Sequence, residues 1–479
     1  MMLLSQHKEK VAAFMDRNAP KRDRWIKRSR YYYKDLVKFF RFNIPESSRI
    51  LEIGCGTGYL LDKLTPSHGV GIDISSKMIE AARENHETLH FHYMDAENIT
   101  LSETFDHVII SDTIGYLEDV QQHFSQLQNV TDENSRIIIT YLNFIWLPIL
   151  KIAEFLHLKM QSKDVNWLDI DDIKNLLNLA GFETIKTGRR FLFPKFIPLL
   201  SWFFNKFIAQ LPLINRLCFI NYVIAKKRTA PAIGPDGKDT LTVSVVVPAR
   251  NEKGNIENAV KRIPDMGKHT EIIFVEGGSS DNTREEIIRV RDRYSSQRDI
   301  KFFAQDGKGK GDAVRKGFSE ASGDVLMILD ADLTVPPEDL SKFYNAIASG
   351  IGEYINGCRL VYPLERNSMR ILNMMGNRFF SIMFSWILGQ KLKDTLCGTK
   401  VISKVNWEKL IAGRKYFGDF DPFGDFDLIF GAAKLNLKIV EVPIRYKARE
   451  YGETNISRFK HGWLLLKMVF FAMGKIKFL

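Results

Sequence analysis

Between residues 49 and 140, short apolar runs alternate with amphipathic stretches: RILEIG, GVGIDI, LHFHYMD, FDHVIISD and SRIIITYL. These runs predict strands. Their spacing of roughly 20 residues leaves room for a crossover helix each time, which predicts a parallel sheet. NWLDIDDIKNLLNLAGF predicts a capped helix ending at Gly181. FETIKTGRRF and CFINYVIAKK then form a candidate closing pair of strands. A polar segment from Lys226 to Thr240 carries two Pro and two Gly and predicts an interdomain linker. The alternation restarts at TVSVVVPARNE and continues through EIIFVEGGSSD, IKFFAQDG, DVLMILDAD and IGEYINGCRL. The expectation is a two-domain α/β protein, residues 1–226 and 241–479 around a linker at 227–240, with no internal repeat.

Three apolar segments do not fit that alternation. Residues 194–216 are dense in Phe, Trp, Ile and Leu but are broken by Pro198, Lys206 and Pro212. Residues 369–389 include Arg370, Asn373, Asn377 and Arg378, and residues 461–479 are interrupted by Lys467 and end in Lys475 and Lys477. Each is too interrupted for a spanning helix of about 20 apolar residues. An interfacial helix with one immersed face suits them; packing against their own domain, or in a homodimer for the last two, is the alternative.

Charge sharpens this picture. The net charge is +11, yet residues 1–41 hold 12 Lys+Arg against 4 Asp+Glu, and residues 454–479 hold 5 Lys+Arg and no acid. The positive charge therefore sits at the two termini, interleaved with aromatic and aliphatic residues. That favours an anionic membrane surface over nucleic acid, at about 1 kcal/mol per basic side chain; a solvated charged face is the plain alternative. The four cysteines are scattered without CxxC spacing, which argues against zinc or a disulfide framework and for a reducing compartment. The opening MMLLSQHKEK turns charged too soon for a signal peptide. A cytoplasmic, peripheral protein on the inner face of a membrane is expected.

Two stretches carry chemistry. In LEIGCGTGYLLDKL, Gly54, Gly56 and Gly58 lie between a strand and a helix, where glycine permits positive φ and close backbone approach to a ligand. Asp73 ends the next strand, 21 residues after Glu52, where a carboxylate can accept ribose hydroxyls. Asp95 ends the third strand and Asp112 follows the fourth. His123 and the Tyr31–Tyr33 run are candidates to assist or line a pocket. This combination resembles the class I S-adenosylmethionine-dependent methyltransferases. The resemblance implies a seven-stranded sheet with the last strand antiparallel, and S-adenosylmethionine held by Glu52, Gly54, Gly56, Gly58, Asp73, Asp95 and Asp112. A nicotinamide-binding Rossmann domain fits less well.

The second stretch is VLMILDADLTVPPED, an apolar run ending in Asp330 and Asp332. Alternate residues of a strand point the same way, and two hard oxygen ligands suit Mg²⁺ or Mn²⁺ bridging a diphosphate. With VVVPARNE, VEGGSSDNT and GKGKGDAVRKGF around it, the segment resembles the GT-A glycosyltransferases that include dolichol-phosphate mannosyl- and glucosyltransferases. The resemblance implies a nucleotide-sugar donor facing Pro248, Arg250, Glu252, Glu276, Lys310 and Asp330, with the metal on Asp330 and Asp332. It also implies a polyprenyl-phosphate acceptor met by Arg359, Arg370 and Arg449. Asp332, Asp425 and Asp427 are the catalytic candidates; an acceptor that is already ionised needs no base. Two departures stand out: Glu276-Gly-Gly-Ser replaces Asp-Asp-Gly-Ser, and Thr334 stands where relatives often have Gln or Ser. The reading is a bifunctional enzyme. Its rivals are a glycosyltransferase acting on a glycan or glycolipid hydroxyl, and a glycosyltransferase carrying a silent methyltransferase-like adaptor. Oligomeric state and the methyl acceptor are left open.

Overall fold

A computed structural model describes residues 4–160, 166, 168–231, 240–361, 371–418, 426–447, 449, 451 and 458–478, with backbone alone at 371–375 and 458–461. The chain divides into two compact units, Met1–Arg228 and Thr229–Lys477.

In the first unit, β1 (Arg49–Ile53), β2 (His68–Asp73), β3 (His90–Tyr93), β4 (His107–Ser111) and β5 (Arg136–Leu142) pair in parallel. With β6 (Phe182–Arg190) and β7 (Ile220–Lys227) the order is β3-β2-β1-β4-β5-β7-β6. Strand β7 runs antiparallel to both neighbours. The central strands are apolar on both faces, as a sheet covered by helices on both sides requires: Leu51, Ile53, Val108 and Ile110 face one cluster, Ile50 and Ile109 another. Strand β7 continues through Lys226 and Lys227, which pair with Glu183 and Phe182. The expected linker thus loses its first residues to the sheet; residues 232–239 lie outside the described part. The helix expected before Gly181 is Ile170–Leu179, closed by an Asp169–Asp172 capping box, and Gly181 takes φ +83° just beyond it.

The basic N-terminus is folded rather than extended. Helices Gln6–Arg28 and Arg30–Asn43, separated by Ser29 alone, precede β1. Ser5 caps the first by accepting from the Lys8 N–H at 3.3 Å. Leu36, Phe39 and Phe40 anchor the second in the core. In the insert before β7, the helix Leu200–Lys206 leaves Trp202 and Phe203 exposed, along with the neighbouring Phe196, Leu199 and Leu213.

The second unit holds β8 (Thr242–Ala249), β9 (His269–Glu276), β10 (Asp299–Ala304), β11 (Val325–Ile328), β12 (Tyr354–Cys358), β13 (Lys400–Ser403) and β14 (Ile439–Pro443). Their order is β10-β9-β8-β11-β13-β12-β14, with β13 antiparallel to β11 and β12. β13 and β14, of 4 and 5 residues, are strands that the sequence pattern had not singled out. Helix Ile371–Leu388 buries Phe380, Phe384, Ile387 and Leu388 in the same core as Leu465, Met468 and Val469 of helix Arg458–Ala472. The opposite faces expose Phe379, Ile382, Trp463 and Phe470. Among the described residues no helix is long and apolar enough to cross a membrane. All four cysteines are buried and free.

Candidate functional site

The first site begins where β1 ends. Gly54, Gly56 and Gly58 take φ of +72°, +55° and +77°. A Cβ at Gly54 would stand 2.5 Å from Thr113 Cγ2, and one at Gly58 would stand 2.6 Å from Phe91, so two of the three are required by packing. At the end of β2 the Asp73 carboxylate accepts from the Gly56 and Ser75 N–H groups, each at 2.9 Å. Burial raises its pKa, against the pull of those donors and of Arg22.

Around this loop lies a cavity of about 1100 Å³. Gly54, Gly56, Asp73, Asp95 and Asp112 all line it. Glu52 and Gly58 are not among its lining residues. The Glu52 carboxylate instead turns under the helix Tyr59–Leu64 to accept from the Leu61 N–H at 3.1 Å. Burial lifts its pKa from 4.5 to about 8.

The N-terminal helices reach into this site, which sequence reasoning missed. Lys8 pairs with Asp95 at 2.7 Å and Glu97 at 2.8 Å. Asp23 accepts from the Thr57 hydroxyl at 2.7 Å, and Asp16 from the Ser75 hydroxyl. Arg22 lies 3.8 Å from where a Gly56 Cβ would be. The only sequence signal was the mixture of acids with bases in residues 8–23, hidden by the strong net positive charge. These contacts turn part of the expected membrane-facing charge inward.

Asp112 sits in the left-handed region at φ +54°. Its Oδ2 accepts from the Tyr32 hydroxyl at 2.5 Å, while its buried Oδ1 has no hydrogen-bond partner among the described residues. Burial raises its pKa, and the Tyr32 hydrogen bond and the Arg22 charge oppose that rise. Tyr31, Tyr32 and Tyr33 line the cavity. His123 is a core residue: its Nδ1 lies 2.7 Å from the Ala96 carbonyl, and burial lowers its pKa to about 4.

The second site lies beyond β11. Asp330 Oδ1 pairs with Lys310 at 2.6 Å, and Asp332 Oδ2 with Arg449 at 2.7 Å. Arg449 also reaches Glu252 at 3.1 Å. Burial alone would raise the Asp330 pKa, but Lys310, Lys400 and Arg359 bring it below the ordinary value. Burial raises that of Glu252, against Arg449 and Asn255. Asp332 Oδ1 accepts from the Thr334 N–H at 3.1 Å and its hydroxyl at 2.8 Å, so Thr334 orients the aspartate. Among the described residues no group of three or more His, Cys, Asp or Glu is gathered as a metal site. The two carboxylates are hard donors that suit a divalent cation completed by diphosphate oxygens.

Gly398, not singled out by sequence, makes room for this pair: a Cβ there would lie 2.6 Å from both Asp330 Cγ and Lys310 Nζ. Pro248 is the penultimate residue of β8 and Glu276 ends β9, and Arg250 is exposed just beyond β8. Glu276 accepts from the Ser279 N–H at 2.5 Å and so shapes its loop. Arg359 is locked bidentate to the fully buried Asp394, at 2.7 and 2.8 Å, and lies over Tyr446. Asp427 stands between Arg414 at 2.9 Å and Arg315 at 3.3 Å. Those contacts tie Arg359 and Asp427 to framework ion pairs. Arg370 and Asp425 lie outside the described residues.

Two family models match the chain, one within each unit. Residues 25–187 match the family model described as a methyltransferase domain, and residues 244–405 match that described as glycosyl transferase family 2. Among curated proteins it is similar to a low-salt glycan biosynthesis hexosyltransferase of Haloferax volcanii, 30% identical over 239 residues, covering 48% of this chain and 54% of that one. It is also similar to a dolichol-phosphate mannosyltransferase of Pyrococcus furiosus, 38% identical over 227 residues, covering 45% and 60%. The chain thus spans little more than half the length of these relatives. Among solved structures, an S-adenosylmethionine-dependent methyltransferase of Thermotoga maritima aligns with TM-score 0.36 and 20% identity, covering 46% of this chain and 99% of that one.

Two outcomes are expected from this geometry. The Glu52 pKa is higher folded than unfolded, so its contribution to stability is intact below about pH 4.5 and is lost as pH climbs toward 8. Glu52→Gln should therefore raise the Tm at pH 7.5 and flatten its fall between pH 5 and 8, while calorimetric S-adenosylmethionine affinity stays within about threefold. Gly398→Ala should leave the melting temperature of the second unit nearly unchanged but weaken Mn²⁺ binding, read by electron paramagnetic resonance, by about tenfold or more through displacement of Asp330.

Proposed function

We propose that the chain is bifunctional, joining metal-dependent transfer of a sugar from a nucleotide-sugar donor onto a polyprenyl phosphate with S-adenosylmethionine-dependent methylation. The observation that carries the transferase reading is the pair Asp330 and Asp332, each already balanced by a cation from elsewhere in the domain. Two hard carboxylate donors gathered at a strand end are what a divalent cation needs, and that cation would supply Lewis-acid neutralisation of the departing diphosphate. Lys310, at the start of helix Lys310–Glu320, is placed to stay with the donor phosphates. Arg449 bridges Asp332 and Glu252, and its planar fork suits phosphate oxygens. Thr334 holds Asp332 in register. A phosphate acceptor is ionised and needs no base, which agrees with Asp427 being engaged by two arginines.

The curated relatives include proteins named for dolichol-phosphate mannosyl transfer and dolichyl-phosphate glucosyl transfer, which supports a polyprenyl-phosphate acceptor. Such an acceptor resides in a membrane, and the exposed Phe379, Ile382, Trp463 and Phe470 supply apolar contact beside a basic C-terminal segment. We infer peripheral attachment to an anionic, cytoplasm-facing surface.

For the first unit, Asp73 accepts the ribose hydroxyls and Gly54 and Gly56 admit the donor close to backbone. Lys8 has to leave Asp95 for that carboxylate to meet the adenine edge.

Asp332→Asn should lower diphosphate release from a panel of sugar nucleotides by about 10²-fold or more, as should EDTA on the unaltered protein. Activity retained in Asp332→Asn with EDTA present would refute the metal role. Trp463→Asp with Phe470→Asp should cut flotation with vesicles rich in phosphatidylserine severalfold; unchanged flotation would assign those faces to another partner.

A further inference from the structure

The methyl-donor cavity is far larger than the loop around Asp73, and its walls change character away from that loop. Leu147, Leu150, Ile152, Leu156 and Phe196 line it. Three of these are also open to solvent, Ile152 at 60%, Leu156 at 56% and Phe196 at 63% exposure, so the cavity continues onto an apolar surface. Phe155 and Leu199, at 82% and 81% exposure, extend that surface. The same cavity is edged by Arg28, Arg30, Lys34 and Lys195, all exposed and none with an ion-pair partner among the described residues. Deep inside, the Asp112 Oδ1 is buried and unpartnered while Tyr32 holds the other oxygen. A small polar acceptor needs neither the apolar wall nor the basic edge. An apolar chain with an anionic group and a hydroxyl uses all three features.

We propose that the methyl acceptor is a hydroxyl on a lipid-phosphate-linked sugar, the class of product assigned to the second domain. The inference rests on the methyl-donor and sugar-transfer readings above. The chain lies along Leu147, Leu150, Ile152 and Phe196, and its phosphate meets the arginines and lysines of the edge. The sugar hydroxyl is delivered to Asp112. As the acceptor oxygen bonds to the methyl carbon, the carbon–sulfur bond breaks with its electron pair retained by sulfur, and the hydroxyl proton passes to Asp112 Oδ1. The products are an O-methyl sugar lipid and S-adenosylhomocysteine, so no oxidant or further reactant is required. Tyr32 fixes the carboxylate, and the Arg22 charge opposes the rise in pKa that burial causes. Methylation in this order follows sugar transfer, because the phosphate-linked lipid is recognised as a whole.

The test uses the full chain with S-[methyl-³H]adenosylmethionine and phosphatidylcholine vesicles holding a polyprenyl-phosphate hexose. Parallel arms contain hexose 1-phosphate without a chain, and polyprenyl phosphate without a sugar. Tritium is expected in chloroform-soluble, acid-labile lipid in the first arm alone, with the methyl on the released hexose by mass spectrometry. Asp112→Asn should lower that rate by about 10²-fold or more. A readout independent of turnover is quenching of Trp146, which also lines the cavity, by a nitroxide-labelled hexose lipid, isolated by difference from Trp146→Phe. Arg30→Glu with Lys34→Glu should weaken that quenching by about tenfold. Equal labelling of chain-free hexose phosphate overturns the proposal, as does S-adenosylmethionine binding with neither lipid labelling nor quenching; both leave the methyl-donor reading standing. Absence of S-adenosylmethionine binding removes that reading and this proposal together.

Discussion

Two carboxylates at the end of β11 cannot stay close together unless positive charge reaches them. Lys310 and Arg449 provide it, from positions 20 residues before Asp330 and 117 residues after Asp332. The whole second sheet is arranged to bring those three chain segments to one point. Gly398 completes the arrangement by leaving the space that Asp330 and Lys310 fill. Protein cations placed this way hold the site's charge without a ligand, yet they are weaker partners than a divalent ion bridging to diphosphate. An electrostatic balance of this kind is ready to be exchanged rather than built anew.

The first unit solves a similar problem with a helix. Asp73 and Asp112 are buried carboxylates whose pKa values burial raises, and Arg22 from the N-terminal helix offsets part of that cost. Lys8 does the same for Asp95 and Glu97. Helix Gln6–Arg28 thereby acts as a wall of the cavity, and its exposed bases remain for anionic partners. The region around Phe196 and Ile152 leaves apolar surface open at the same cavity, which a folded monomer rarely does over a wide area without use.

Much of the architecture was legible beforehand. Strand length, crossover spacing and the Asp169 cap with Gly181 predicted the elements of both sheets through β12, because buried parallel strands must be apolar along their length. Residues at strand ends were also legible: Asp73, Asp95, Asp330 and Asp332 stand where an apolar run meets a polar turn. The hydrogen bond from Leu61 to Glu52 was not, since a carboxylate beside a glycine loop gives no local sign of the helix N–H it meets. The ion pairs that hold Arg359 and Asp427 were not legible either. Their partners Asp394, Arg315 and Arg414 lie 13 to 112 residues away in sequence and give no local signal.

By itself, then, the amino-acid order determined the two α/β domains, the glycine loop and the paired aspartates, all features set by local pattern and strand-end geometry. Tertiary structure decided which polar groups meet: Lys8 with Asp95 and Arg449 with Asp332 as ion pairs, Tyr32 with Asp112 as a hydrogen bond. It also decided that the basic N-terminus is a cavity wall. The physical reason is that hydrogen bonds and ion pairs act over a few ångströms between side chains whose separation along the chain is unrestricted, so only the folded backbone can say which of many charged residues meet.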